Sequence, residues 1–491
     1  MKLWLDTKSL DDYRTLLRAK RLPVYRIVGR TLEVPDQFAH LLGYDVAPSE
    51  AAEYTQTPGL FDYQADIARM AIDKRKFAVF ADCGLGKTLI LLEFAWHAAK
   101  SLPADRKVLL VSPLMVCQQT VDESQSWYGM APEFVPASGL AAWLSGEGCR
   151  VGITNYEAIR EGLPQGKLGA LILDESSMLK SHYGAWGTRL IDLGRGLEWK
   201  LALTGTPAPN DRIEYANHSV FLDVHRSTNE FLARYFVNRG KTQNRWEIKP
   251  HALTAFYRDL SHWAIFLSDP SVYGWSDNCE GIPPIHVHIE DVPMTPEQIK
   301  AMQATTGGLV AANVGGIGQR SKLGQIGKGK FEGEAIPTRK PSYIRDLVES
   351  WPDESTIIWC LYNGEQDTIE REFPDAVSLR GTTPYEERVE GIRRFKSGEC
   401  RVLISKPKIL GFGLNLQVAT RQVFSGLQDS YESFYQAVKR SNRVGSTRPL
   451  NVHVPVTDIE MQMVQSVLEK ADRVESDTRE QERLFREANH G

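Results

Sequence analysis

Short apolar runs recur along the chain, each four to seven residues long and each ending in a polar or small residue. FAVFA, KVLLVS, RVGITN, GALILDE and LALTGT fall between about residues 58 and 210, and TIIWCLY, DAVSLRG, RVLISK, QVFSGL and LNVHVPV from about 355. Rich in Val, Ile and Leu and separated by longer helical stretches, they predict buried parallel strands with crossover helices. The expected fold class is α/β, with two parallel-sheet lobes and helical insertions between them. The joining stretch, about 211–350, is helical and aromatic at first and then glycine-rich at TTGGLVAANVGGIGQRSKLGQIGKGKFEGE. The expected organisation is a small accessory unit at 1–57 and a first lobe at 58–270, with its helical insertion from about 211. A linker with a basic, glycine-rich insertion follows at 271–350, then a second lobe at 351–460 and an amphipathic C-terminal helix at 461–491. Within 1–57, Ser9 opens a helix, Gly29 turns a hairpin and Gly43 closes a second helix.

Composition narrows the class without adding chemistry. The chain has 491 residues, 42% hydrophobic and 24% charged, enough for two or three domains with cores of their own. A net charge of −4 means that any nucleic-acid surface is a local patch. Six scattered cysteines without a C-x-x-C form neither a zinc site nor a disulfide framework, which suits a reducing cytosol. His286 and His288 would share a strand face, yet no third ligand accompanies them, and they read as solvated. No run approaches the roughly 18 apolar residues of a membrane helix, and the N-terminus lacks a signal-peptide core. The expected location is the cytoplasm.

The stretch FADCGLGKTLILLE changes the picture. A strand runs into a glycine-rich loop and a helix leaves it, the context of a phosphate-binding P-loop. Gly84 and Gly86 let the backbone approach phosphate oxygens, and amides at the helix start point at the anion. Lys87 can reach the β- and γ-phosphates, and Thr88 can place its hydroxyl on Mg²⁺. The partner lies about ninety residues on, where GALILDE ends in Asp174 and Glu175. Asp174 would hold Mg²⁺ through water and Glu175 would polarise the attacking water. These residues specify a nucleoside-triphosphate hydrolase.

Further ordered motifs carry a family resemblance. LFDYQ, ADCGLGKT, LLVSPLMV, ITNYEAI, LDESS and LTGTPAPN in the first lobe, with LISKPKILGFGLNLQ and QAVKRSNRVG in the second, resemble superfamily 2 helicases. G-L-G-K-T, L-T-G-T-P-x-x-N, G-x-G-L-N-L and Q-A-x-x-R-x-x-R-x-G are most similar to the Swi/Snf-type DNA translocases, in their compact bacterial and phage versions. The resemblance spans 58–460, about four-fifths of the chain. It implies two RecA-like lobes (tandem P-loop NTPase-type domains), ATP with Mg²⁺ as cofactor, and a DNA-stimulated ATPase that moves along duplex DNA and remodels DNA or protein–DNA complexes. A strand-separating helicase, or a motor subunit docked through residues 1–57 or the C-terminal helix, are the alternatives. A bacterial or phage-infected cell is the implied setting.

The resemblance also assigns residues. Gln64 would read adenine, and Gly413 and Asn415 would form the motif V turn. Arg440 and Arg443, read as i and i+3 on one helix face, would be arginine fingers completing the catalytic set of Lys87, Asp174 and Glu175. Thr204, Gly205 and Thr206 would couple the site to the track. Contacts to DNA phosphates would come from Ser112, Thr154, Asn155, Lys180, Ser405, Lys406, Lys408 and Asn415. Two basic windows would add Arg239, Lys241 and Arg245, then Arg320, Lys322, Lys328 and Lys330. The chain departs from the pattern at Ala81 (the first P-loop glycine), at DESS in place of a DEAH-like box, and at Ser446, where glutamine is usual.

Overall fold

The computed structural model describes residues 1–491 apart from 23–24, 35, 45–52, 147, 164–165, 181–184, 241–245, 277–281, 307–316, 411–413, 428–429, 444 and 491. The chain divides into two compact units, residues 1–277 with 476–491, and residues 278–475.

The first unit opens with a small antiparallel sheet of β1 (Lys2–Trp4), β2 (Arg26–Val28) and β3 (Thr31–Glu33), in the order β1-β3-β2. Ser9 caps the helix Leu10–Ala19, its hydroxyl accepting the Asp12 N–H at 3.2 Å. Gly29 turns the β2–β3 hairpin at φ +60°. The second expected helix is a 3₁₀ segment, Asp36–Leu42.

The main sheet of this unit has seven strands: β4 (Lys76–Ala81), β5 (Lys107–Ser112), β6 (Glu133–Phe134), β7 (Val151–Asn155), β8 (Leu168–Asp174), β9 (Trp199–Leu203) and, past a short hairpin of β10 (Phe236–Asn238) with β11 (Trp246–Ile248), β12 (Ala264–Leu267). The order is β12-β4-β9-β8-β5-β7-β6, every neighbour parallel. Strands β5 and β9 are buried throughout, as a parallel sheet covered on both faces requires. Loops that leave β4, β9, β8, β5 and β7 therefore emerge side by side at the carboxyl edge, where open α/β sheets place ligands.

The second unit is built on a six-stranded sheet of β13 (Ile285–Asp291), β16 (Thr356–Trp359), β17 (Val377–Ser378), β18 (Val402–Ser405), β19 (Arg421–Phe424) and β20 (Leu450–Val456), with a small β14 (Lys330–Phe331)–β15 (Glu334–Ala335) hairpin apart from it. Its order, β13-β20-β19-β16-β18-β17, is again all parallel.

All ten apolar runs are strands, and the two parallel sheets are the expected lobes. Three strands of the two parallel sheets were not expected: β6 has two residues, β12 follows directly on the helix Leu253–Trp263, and β13 is exposed or half-exposed along its length. The joining stretch 211–350 thus supplies an edge strand to each sheet, and helix Lys340–Glu349 buries Ile344 and Val348 in the second unit. The C-terminal segment is one helix, Met461–His490, which contributes Val464 and Val467 to the core of the second unit and Leu484 to that of the first.

Candidate active site

Strand β4 delivers the chain into the glycine loop and the helix Lys87–Ser101. Gly84 and Gly86 adopt φ +91° and +67°, a region that favours glycine. Gly86 is the helix N-cap and no side chain caps that end, which leaves its amides to an anion. A Cβ at Gly86 would also collide with Gln64 Nε2, so the glycine admits the Gln64 amide against the loop. Gln64 is buried in the first turn of its helix, and its Oε1 accepts the Phe61 N–H at 3.1 Å. Lys87 Nζ donates to the carbonyls of Ala81 and Asp82 at 2.9 and 3.1 Å. Thr88 follows, half-buried.

Asp174 ends β8, one strand from β9 and two from β4. Its carboxylate accepts the Ser112 hydroxyl at 2.8 Å and the Glu175 N–H at 3.1 Å. The surrounding protein and then the Glu175 carboxylate push the Asp174 carboxyl up to about 6, against the Ser112 hydrogen bond and the Lys87 charge. Glu175 has φ +52°, the left-handed region, which costs a non-glycine residue about 1–2 kcal/mol. Its Oε2 accepts the Thr204 hydroxyl at 3.2 Å. Thr204 is anchored by its N–H to Val79 of β4 at 3.2 Å, and its hydroxyl also accepts the Thr206 N–H at 3.2 Å. Gly205 faces the P-loop, where a Cβ would stand 3.4 Å from the Ala81 carbonyl and 3.8 Å from Lys87 Nζ. Within one unit the fold therefore gathers Gln64, the P-loop, the two acids and the Thr204–Thr206 segment. Two carboxylates beside a lysine whose hydrogen bonds, among the described residues, go to carbonyls fit a phosphate chain with a divalent cation.

Two groups join these residues: Ser112, expected as a DNA contact, and Tyr156, which no motif singles out. Ser112 serves Asp174 from 62 residues away, and the Tyr156 hydroxyl donates to the Asp174 carbonyl at 2.6 Å. Both lie at the ends of strands close to β8 in the sheet, a signal that the strand order alone would expose.

In the second unit the arginines are not on a helix face as expected. The helix Tyr431–Val438 stops before them. There the Arg440 and Ser441 N–H groups bond to the Ala437 and Val438 carbonyls at 3.2 Å, three residues back, and Gln422 Nε2 donates to the Ala437 carbonyl at 3.1 Å and to Ser441 Oγ at 2.7 Å. The Arg440 carbonyl accepts the Leu416 N–H at 2.9 Å, and the Arg443 carbonyl accepts Gln417 Nε2 at 3.4 Å. Arg440 is buried and Arg443 half-buried, both tied to the turn that carries Asn415. Gly413 lies outside the described residues.

The expected DNA contacts divide sharply. Four turn inward. The Ser112 hydroxyl is committed to Asp174, Thr154 Oγ1 donates to Val135 O at 2.7 Å, and Ser405 Oγ donates to Leu379 O at 2.9 Å, all three buried. Lys328 is buried against Glu460 at 2.7 Å and closed to a phosphate. Asn155 caps a 3₁₀ turn through the Ala158 N–H at 3.0 Å. Lys322, Lys330, Lys408 and Asn415 are exposed, and Lys180, Arg320 and Lys406 half-exposed. Arg239 is exposed and pairs with Glu247 at 3.3 Å. Lys241 and Arg245 lie outside the described residues. His286 and His288 are exposed on β13, with His288 stacked on His453 at 4.6 Å. Among the described residues, no helix is long and apolar enough to cross a membrane.

Comparison with known proteins agrees with this geometry. Residues 75–235 match the SNF2-related domain and residues 339–445 the helicase conserved C-terminal domain. The putative protein p41 of Acyrthosiphon pisum secondary endosymbiont phage 1 is 24% identical over 434 residues, covering 80% of this chain and 91% of that protein. The Drosophila melanogaster SWI/SNF-related matrix-associated actin-dependent regulator of chromatin subfamily A-like protein 1 is 24% identical over 508 residues; the match takes in 95% of this chain but 63% of the fly protein. A solved Sulfolobus solfataricus SWI2/SNF2 ATPase core in complex with dsDNA aligns over 85% of this chain and 92% of its own at 20% identity, with a TM-score of 0.40, a likeness that carries no further weight. The chain belongs to the superfamily 2 helicase-like ATPases of the Swi/Snf type.

Proposed function

We propose that this chain is a motor that hydrolyses ATP to move along duplex DNA without stable strand separation, remodelling DNA or protein–DNA complexes. The observation that carries the reading is the hydrogen bond from Thr204 to Glu175 at 3.2 Å. It ties the residue proposed to activate water to the segment proposed to couple hydrolysis to the track. Bound ATP supplies the γ-phosphoryl group, and Mg²⁺ neutralises its oxygens. The amides at Gly84 and Gly86 cradle the phosphates, and Lys87 exchanges its carbonyl partners for them. Thr88 and Asp174 hold the cation, Glu175 orients the attacking water, and Gln64 contacts the base. Arg440 and Arg443 are the proposed arginine fingers. The track is held through phosphates by Asn155, Lys180, Arg239, Arg320, Lys322, Lys330, Lys406, Lys408 and Asn415. A protein partner is favoured at the N-terminal unit, where Leu10, Tyr13 and Leu17 expose one helix face and Trp4 is exposed as well. Loss of a pull-down on Leu10→Asp/Leu17→Asp tests that contact.

ATPase stimulation compared across single-stranded, duplex and forked DNA and RNA tests the substrate. Duplex DNA is expected to stimulate most, with displacement of a triplex strand but no unwinding. Efficient unwinding of a forked duplex makes the protein a strand-separating helicase instead. Arg443→Ala is expected to lower kcat by about 10³-fold with nucleotide affinity little changed; an unchanged kcat removes Arg443 from the transition state.

A further inference from the structure

The turn that follows Glu175 is gripped from one side by the helix Tyr215–Phe221, which lies beyond the LTGTPAPN segment. Ser176 Oγ and His218 Nε2 stand 3.1 Å apart, and both residues are fully buried. The other ring nitrogen, Nδ1, is 3.4 Å from the Glu214 carbonyl oxygen, which can only accept. The tautomer with its proton on Nδ1 satisfies the Glu214 carbonyl and leaves Nε2 to accept the Ser176 hydroxyl, with the Ser176 carbonyl also facing the ring. Burial pushes the imidazole down to about 4, against the Glu214 and Ser176 carbonyls, so the ring is uncharged at neutral pH. The preceding residue, Asn217, donates from Nδ2 to the Leu179 carbonyl at 2.7 Å. Two successive helix residues thus hold both ends of the turn Ser176–Leu179.

The same ring reaches the other half of the site. His218 packs edge-on against Phe80 at 5.3 Å and 90°, one residue before Ala81, whose carbonyl holds Lys87. One buried imidazole thereby touches both the strand that feeds the P-loop and the turn that leaves the acids. Glu175 needs such support, because its backbone sits at φ +52° and Ser176 is the next residue.

We propose that His218 is a positioning residue for Glu175, holding the turn Ser176–Leu179 through the Ser176 hydroxyl while its ring fixes that turn against Phe80. The inference rests on Glu175 acting on the attacking water, as proposed above.

The test compares Ser176→Ala, His218→Phe, the double variant and His218→Gln in DNA-stimulated ATPase assays, normalised to folded protein by ADP binding and accompanied by Tm. His218→Phe keeps a ring against Phe80 and removes the acceptor, whereas His218→Gln restores an acceptor. Ser176→Ala and His218→Phe are each expected to lower kcat about ten- to a hundredfold with KM for ATP within about twofold. The double variant should be no worse than either single, and His218→Gln should recover most of the rate. Multiplying losses in the double variant, a raised KM at constant kcat, or a lower Tm with unchanged kcat each overturn the proposal. Glu175→Gln separates the two levels. Persistent turnover in it removes the role of Glu175 itself. An inactive Glu175→Gln beside wild-type rates in Ser176→Ala and His218→Phe removes only the role of His218.

Discussion

Two polar networks, one in each unit, handle charge in opposite ways. At the carboxyl edge of the first sheet, Asp174 and Glu175 are adjacent acids, and the Asp174 carboxyl is pushed up to about 6 by its surroundings and by Glu175. Lys87 is satisfied by carbonyls, which solvate an ammonium but do not neutralise it. In the second unit, Glu460 receives Lys328 on one oxygen at 2.7 Å and Lys340 on the other at 2.6 Å. Thr457 adds its N–H at 3.0 Å and its hydroxyl at 2.8 Å, and Lys340 also donates to the Ser425 carbonyl at 2.7 Å. Against the burial that would raise it, the two ammonium groups hold the Glu460 carboxyl down at about 2. The first network keeps charges for a ligand to complete, and the second completes itself. In Asp174 burial and then a like charge act in the same direction, whereas in Glu460 built-in counter-charges overcome burial.

The largest effect that separates them is on turnover. Lys87→Ala or Glu175→Gln should cut DNA-stimulated hydrolysis by about 10³-fold or more while leaving Tm unchanged or higher. A large fall in Tm would show that the first network is structural after all. Glu460→Ala should do the reverse. It strands two buried ammonium groups and should cost about 3–5 kcal/mol of stability, read by urea denaturation, with kcat per folded molecule intact. An unchanged denaturation midpoint would break the comparison from the other side.

Acid sharpens the same distinction. The folded Glu460 carboxyl titrates below its ordinary value of 4.5, so its contribution is complete above about pH 4.5 and is lost as pH falls through about 2. Carried from 4.5 to about 2, the shift corresponds to about 3 kcal/mol at neutral pH. Stability should fall across that window in the wild type and be flatter in Glu460→Gln. Equal acid slopes in the two proteins would remove the triad as the source.

Legibility in the sequence followed the range of the contacts. Strand β4, its glycine loop and the helix after it form one local motif, so Gly84, Gly86, Lys87 and Thr88 could be placed without the fold. Asp174 and Glu175 sit where an apolar run ends, again a local signal. The basic window at 318–330 was not legible in this way. Lys328 and Lys330 are two residues apart in similar surroundings of glycine and lysine, yet one is buried and the other exposed. The partner that decides the matter, Glu460, is 132 residues from Lys328. Ser112, Thr154 and Ser405 failed as track contacts for the same reason, because acceptors brought near by tertiary structure captured their hydroxyls. Arg440 and Arg443 stand beyond the helix, where the Arg440 and Ser441 N–H groups turn to carbonyls three residues back and Gln422, on strand β19, shares the Ala437 carbonyl.

The sequence by itself determined the two parallel sheets and the places of the acids and lysine proposed to carry the nucleotide chemistry, since apolar periodicity and a phosphate loop are written in neighbouring residues. Tertiary structure alone decided which charges remain open to a ligand and which are neutralised inside the protein. It also brought His218 to Ser176 across 42 residues. A side chain's chemistry is local, but its availability depends on what the fold packs against it.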